Sequence, residues 1–90
     1  MVYMISYDLR QPDRNYEKLK QMLRDCSCGK CVHPLESVFI ISSGLSSDKL
    51  SELIKSVVDT DDGFIVCEIT QNYHGYIDVS HWNNIEQLFR

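Results

Sequence analysis

A chain of 90 residues, 43% of them hydrophobic, supports one domain that buries only roughly 60–65% of its unfolded surface, so a second copy is a natural source of extra stability. A formal net charge of −4 excludes indiscriminate binding to phosphate backbones, which depends on Lys and Arg. No apolar run approaches the ~18 residues of a membrane span, and Met1 leads into a strand pattern without a basic region or cleavage site, so a soluble cytoplasmic protein is expected.

Val2 to Tyr7 is β-branched, aromatic and almost uniformly apolar, the pattern of a strand in the interior of a sheet. It runs into a carboxylate, Asp8, before the polar break Arg10-Gln11-Pro12-Asp13. With Asp13 or Asn15 as N-cap, a helix runs to about Asp25. Tyr16, Leu19, Leu23 and Cys26 recur on one face at helical spacing, and Arg14, Glu17 and Lys18 occupy the other.

Gly29 ends that helix, and Lys30 to Ser42 reads as strand, interrupted near Pro34, which cannot donate to a ladder. A short strand, a turn and a main strand from Ser37 to Ser42 are expected. Leu50, Leu53, Ile54, Val57 and Val58 define a second helix, with Ser46 as N-cap and Leu45 packing on Leu50. Asp59 to Gly63 is a turn, and Phe64 to Thr70 is a strand with Cys67 as a core position. Tyr73 to Val79 reads as a further short strand, and Ser80 as the cap of a terminal helical turn reaching Leu88.

This order predicts an α+β fold, a ferredoxin-like β-α-β-β-α-β antiparallel sheet with both helices on one face and a short C-terminal strand or helix tail. Residues 1–72 form the domain; residues 73–90 form a tail that packs on a dimer partner or on a sheet edge. Its aromatic residues (Tyr73, Tyr76, Trp82) with His74 and His81 fit apolar packing better than base stacking, since no basic residue accompanies them before Arg90.

Cys26-Ser27-Cys28-Gly29-Lys30-Cys31-Val32-His33 contains a Cys-x-x-Cys pair, and Cys28 and Cys31 are candidate zinc ligands, with Cys26 and His33 beside them. All four within eight residues strain a tetrahedral shell, and free thiols in a helix-to-strand turn are the alternative. His33 is also the nearest candidate acid or base to Asp8, because histidine titrates near neutrality.

Tyr7-Asp8 closing the first strand, a helix after a short polar loop, the segment His33-Pro34-Leu35-Glu36-Ser37-Val38-Phe39 and a compact β-α-β finish resemble CRISPR-associated protein two. Closer still is the likeness to its small stand-alone SinR family relatives, over roughly residues 2–70. The resemblance implies a ferredoxin-like homodimer in which two copies of the strand-one aspartate approach across the interface and, in some members, hold a divalent metal that supports phosphodiester cleavage. Other members bind duplex DNA without needing nuclease activity, and relatives of the VapD type act as ribonuclease toxins.

Carried onto this chain, the catalytic set is Asp8 as ligand of Mg²⁺ or Mn²⁺, Tyr7 as its strand neighbour, and Ser37 with Phe39 as the supporting pair on the facing strand. A magnesium ion bound through one or two carboxylates, with water and substrate phosphate filling its shell, is chemically ordinary. The competing reading of Asp8 is an Asx turn, its carboxylate accepting from the backbone N–H groups of Leu9 to Gln11.

Residues 1–30 carry six basic and four acidic side chains; residues 31–90 carry three and nine. Nucleic acid would therefore meet the first helix and its flanking loop, where Arg10, Arg14 and Lys18 are the contact candidates. Three functions follow: a metal-dependent endonuclease on RNA or DNA, a non-catalytic dimeric adaptor for nucleic acid or protein, and a regulator whose acidic half meets a basic protein surface.

Overall fold

The computed structural model describes the backbone of residues 1–10 and 12–90 and the side chains of residues 1–10 and 15–90. The side chains of Asp13 and Arg14 therefore lie outside the described residues, and the backbone of Asp13 is already helical, so Asp13 is not the cap. The elements are β1 (Val2–Asp8), α1 (Pro12–Cys26), β2 (Cys31–Leu35), β3 (Val38–Ser42), α2 (Ser47–Lys55), β4 (Gly63–Glu68) and α3 (Val79–Gln87). They build a small α+β fold in which one four-stranded sheet, ordered β2-β3-β1-β4, is antiparallel at every pairing.

The apolar run of β1 has the place its composition implies, between β3 and β4. Strand alternation sends Tyr3, Ile5 and Tyr7 to one face with Phe39 and Ile41, where Leu19 and Leu23 of α1 and Leu50 and Ile54 of α2 close the main core. Val2, Val32 and Ile40 point the other way, against Ile85 and Leu88 of α3 and its neighbourhood. Helices therefore cover both faces: α1 and α2 share one as expected, and the terminal helix takes the other.

Several boundaries differ from the sequence reading, each for a local reason. Helix α1 opens at Pro12, and Asn15 lies inside it instead of capping it; proline suits a first helical position because the N–H it lacks has no partner there. Strand β2 runs through Pro34, which is tolerated because β2 is an edge strand with a register irregularity between Val32 and Leu35. Glu36 and Ser37 form the turn of the β2–β3 hairpin, so the main strand begins at Val38, one residue later than the sequence suggests.

Ser46 caps α2 as expected, accepting from the Lys49 N–H at 3.1 Å. Val57 and Val58 follow the helix in a turn and are half-buried. The last strand stops at Glu68 instead of Thr70.

Tyr73 to Asp78 is irregular, not a strand. Asp78 caps α3 in place of Ser80, its carboxylate accepting from the Ser80 N–H at 3.0 Å and from the Ser80 hydroxyl at 2.7 Å. Tyr73 lies parallel to Trp82, with ring centroids 5.8 Å apart, and the pair packs on the chain's own sheet face instead of a sheet edge. Among the described residues, no helix is long and apolar enough to cross a membrane.

Candidate functional site at the end of the first strand

Asp8 ends β1 opposite Gly63, the first residue of β4. Alternation puts its side chain on the face of Met4 and Ser6, whereas Tyr7 turns toward α1. The carboxylate is exposed. An Asx turn would use the N–H of Arg10, two residues on, but that N–H donates to Asp62 Oδ1 at 2.7 Å. One of the backbone donors that would quench Asp8 is therefore engaged elsewhere, and Gln11, the last residue of that turn, lies outside the described residues.

Asp62 is the centre of a polar knot that the sequence reading passes over as a plain turn. Its second oxygen, Oδ2, accepts from the Asn15 side-chain amide at 2.9 Å and from the Asp59 N–H at 2.8 Å. Asn15 Nδ2 also donates to Asp59 Oδ2 at 3.0 Å, and Asn15 is only 2% exposed. A buried amide with both donors engaged is a tie between α1, the β1–α1 loop and the α2–β4 loop.

The Arg10 N–H is the main cause that holds the Asp62 carboxyl below its ordinary range; burial opposes it, and the Asp59 N–H, the Asn15 amide and the Arg10 charge add to it. Because the folded-state value is lowered, the stabilisation is full above the unfolded carboxylate range of about 4 and disappears as pH falls through the lower folded value. Urea midpoints of wild type and Asp62→Ala, compared between pH 7 and pH 2, are expected to differ at neutral pH and converge in acid. A gap that widens in acid would contradict this.

Where β1 ends, Tyr7, Asp8, Leu9, Tyr16, His33, Glu36 and Ser37 line a cleft of about 370 Å³. The Tyr7 N–H donates to Ser37 O at 3.0 Å, and its hydroxyl donates to Glu36 O at 2.8 Å. His33 Nε2 lies 3.1 Å from the same carbonyl and 3.3 Å from the Tyr7 hydroxyl. A carbonyl only accepts and the Tyr7 proton is committed to it, so neutral His33 carries its proton on Nε2. Its Nδ1 then accepts from the Tyr16 hydroxyl at 3.3 Å.

Phe39 floors this group, stacked 4.2 Å from His33 and 5.6 Å from Tyr7 by ring centroids. Burial first, then the neighbouring Tyr16, Glu36 and Cys31, push the Tyr7 hydroxyl up to about 12; burial likewise raises Tyr16. Both phenols stay protonated at neutral pH and act as hydrogen-bond groups, not as bases.

The residues singled out in sequence therefore separate. Asp8, Tyr7, Ser37, His33 and Glu36 meet at the cleft. Phe39, only 1% exposed, supports the cleft from below and is closed to any substrate. Arg10 is exposed in the loop after Asp8, and Lys18 is exposed beside Glu17 and Gln21, away from the cleft. No lysine or arginine lines the cleft among the described residues.

Cys26, Cys28, Cys31 and His33 do not converge on a metal site. Cys26 packs on the main core with its thiol 3.6 Å from the Met22 sulfur, Cys28 is exposed, and both ring nitrogens of His33 face tyrosine hydroxyls. Among the described residues, no group of three or more His, Cys, Asp or Glu side chains is placed to hold a metal ion. Cys67 is half-buried, its thiol 3.7 Å from Met4 O.

Tyr16 is the cleft residue that sequence reasoning misses, because helical spacing assigns it to the buried stripe; Lys20 Nζ lies 5.8 Å from its ring centroid. No protein-family model, no curated protein and no solved structure matches the chain.

Proposed function

We propose that the chain is the protomer of a ferredoxin-like homodimer related to CRISPR-associated protein two and the SinR family, and that it cleaves phosphodiester bonds in RNA or DNA with Mg²⁺ or Mn²⁺. The observation that carries this reading is the state of Asp8: an exposed carboxylate at the end of an interior strand, with the Arg10 N–H withdrawn from it. The β-α-β-β-α-β order of residues 2–68 and the strand order β2-β3-β1-β4 support the ferredoxin-like assignment.

The donor set suits the cation. One exposed, hard carboxylate per chain, with no hydrogen-bond partner among the described residues, fits an ion that keeps most of its water, and it does not fit a soft metal that needs a protein cage. A bound Mg²⁺ or Mn²⁺ supplies Lewis acidity toward a phosphate oxygen. The cleft beside Asp8 carries a second acid, Glu36, and no base of the Lys or Arg type among the described residues, so a phosphate would approach it only with a cation to offset the repulsion. Tyr7 and Ser37 fix the end of β1 to the β2–β3 turn, and Phe39 fixes the ring of Tyr7.

Pairing of two copies is supported by the sheet face that Asp8 shares. Leu35, Val38, Ser6 and Ile65 lie in one row across all four strands. Leu35 is 53% and Ile65 68% exposed, two residues along β1 from Asp8. A second copy covering that row would remove apolar surface from water and bring the two aspartates to the same seam.

The test is direct. Purified protein of measured oligomeric state, incubated with labelled RNA and DNA in Mg²⁺ or Mn²⁺ and in chelator, is expected to cut only with the cation. A dimer that cuts neither polymer in either metal removes the nuclease reading.

A further inference from the structure

We infer that Asp62 is a positioning residue whose carboxylate, by taking the Arg10 N–H, keeps the Asp8 carboxylate free for a divalent cation. The inference rests on the Asp8 reading above and adds the residue that makes it possible. An aspartate at a strand end can fold back onto the N–H two residues later in an Asx turn. Here that N–H donates to Asp62 Oδ1 at 2.7 Å.

Asp62 reaches it because Gly63 pairs with Asp8 at the end of the β1–β4 ladder, which sets the residue before Gly63 level with the residues after Asp8. The Asp62 side chain is held in place by its other oxygen, which accepts from the buried Asn15 amide at 2.9 Å and from the Asp59 N–H at 2.8 Å. Both carboxylate oxygens are engaged, so Asp62 is itself a poor cation ligand. It is a fixed acceptor on the donor two residues beyond Asp8.

Two consequences separate this role from simple bracing. Asp62→Ala releases the Arg10 N–H, Asp8 takes it, and the affinity of the purified full chain for Mn²⁺ falls by about five- to tenfold, the effect of one charge-assisted hydrogen bond that must be broken before the ion binds. Asp62→Asn retains one oxygen for the Arg10 N–H and restores most of that affinity. Asn15→Ala removes one of the two donors on Asp62 Oδ2; it lowers the urea midpoint and reduces Mn²⁺ affinity less than Asp62→Ala does, because the Arg10 N–H keeps its acceptor.

The second readout needs no metal. The Arg10 amide proton, followed by NMR, is expected to keep its position in Asp8→Ala, to remain hydrogen-bonded in Asp62→Ala, and to move to an unbonded position only in the Asp62→Ala/Asp8→Ala double variant. An Arg10 amide that is identical in Asp62→Ala and in the double variant overturns the inference, as does unchanged Mn²⁺ affinity in Asp62→Ala. If wild type binds no Mn²⁺ at all, the cation reading of Asp8 falls, and the amide comparison still decides whether Asp62 displaces Asp8 from its own turn.

Discussion

Phe39→Ala is expected to cost about 3–5 kcal/mol, the range for removing a buried aromatic ring that its surroundings cannot refill. Phe39 is 1% exposed and lies under the rings of His33, Tyr7 and Tyr16, with centroids at 4.2, 5.6 and 6.1 Å. A domain of this length has roughly 5–13 kcal/mol in total, so the variant approaches the edge of stability. Phe39→Leu keeps most of the volume and should cost no more than about 1–2 kcal/mol. Urea midpoints separate the two. The leucine variant also isolates the role of the aromatic floor: the fold persists while His33 loses its stacking partner, and the His33 ring resonances shift in NMR. A loss below about 1 kcal/mol in Phe39→Ala would mean that the cleft wall collapses onto the space without penalty.

The parts of this site that sequence reveals are the ones governed by local pattern. The apolar run of β1 predicts an interior strand because both of its faces must be covered, and Asp8 stands out because a charge cannot continue such a run. The second helix is legible from its spacing and from Ser46. The α1–Asp62 tie is not legible, because Asn15 and Asp62 lie 47 positions apart and nothing in either neighbourhood announces the other. An asparagine near a helix start reads as a cap, and two aspartates before a glycine read as a turn.

The same limit applies to His33 and Tyr16. Each has a sound local interpretation, as a residue of a Pro-containing edge segment and as a member of an apolar helix stripe. Their meeting at 3.3 Å depends on α1 crossing the sheet above the β2–β3 hairpin, and that is set by packing of Leu19 and Leu23 against Phe39 and Ile41. The Cys-x-x-Cys pair fails in the opposite direction. Its spacing suggests a metal knuckle, but Cys26 faces the core from α1, Cys31 joins β2, and Cys28 is left exposed in the loop between them.

Asp8→Asn is expected to abolish divalent-dependent cleavage, by about 10²-fold or more, with stability unchanged within about 0.5 kcal/mol. The two halves of this outcome come from the same observation. The carboxylate is exposed, and the Arg10 N–H of its own loop is bonded to Asp62, so folding draws little on its charge. A hard cation does draw on it, because an amide oxygen is a far weaker ligand than a carboxylate for Mg²⁺ or Mn²⁺. In the proposed dimer, loss of a negative charge near the axis also lowers repulsion between copies, so the fraction of dimer should hold or rise. Cleavage rate against Mn²⁺ concentration, thermal midpoint and oligomeric state, measured on the same preparations, check the three points together. Cleavage retained at the wild-type rate would assign the chemistry to another site or to a contaminant. Cleavage lost together with folding would mean that Asp8 serves the strand end and not a cation. Only the combination of an intact dimer and lost metal-dependent activity supports the aspartate as the residue on which catalysis turns.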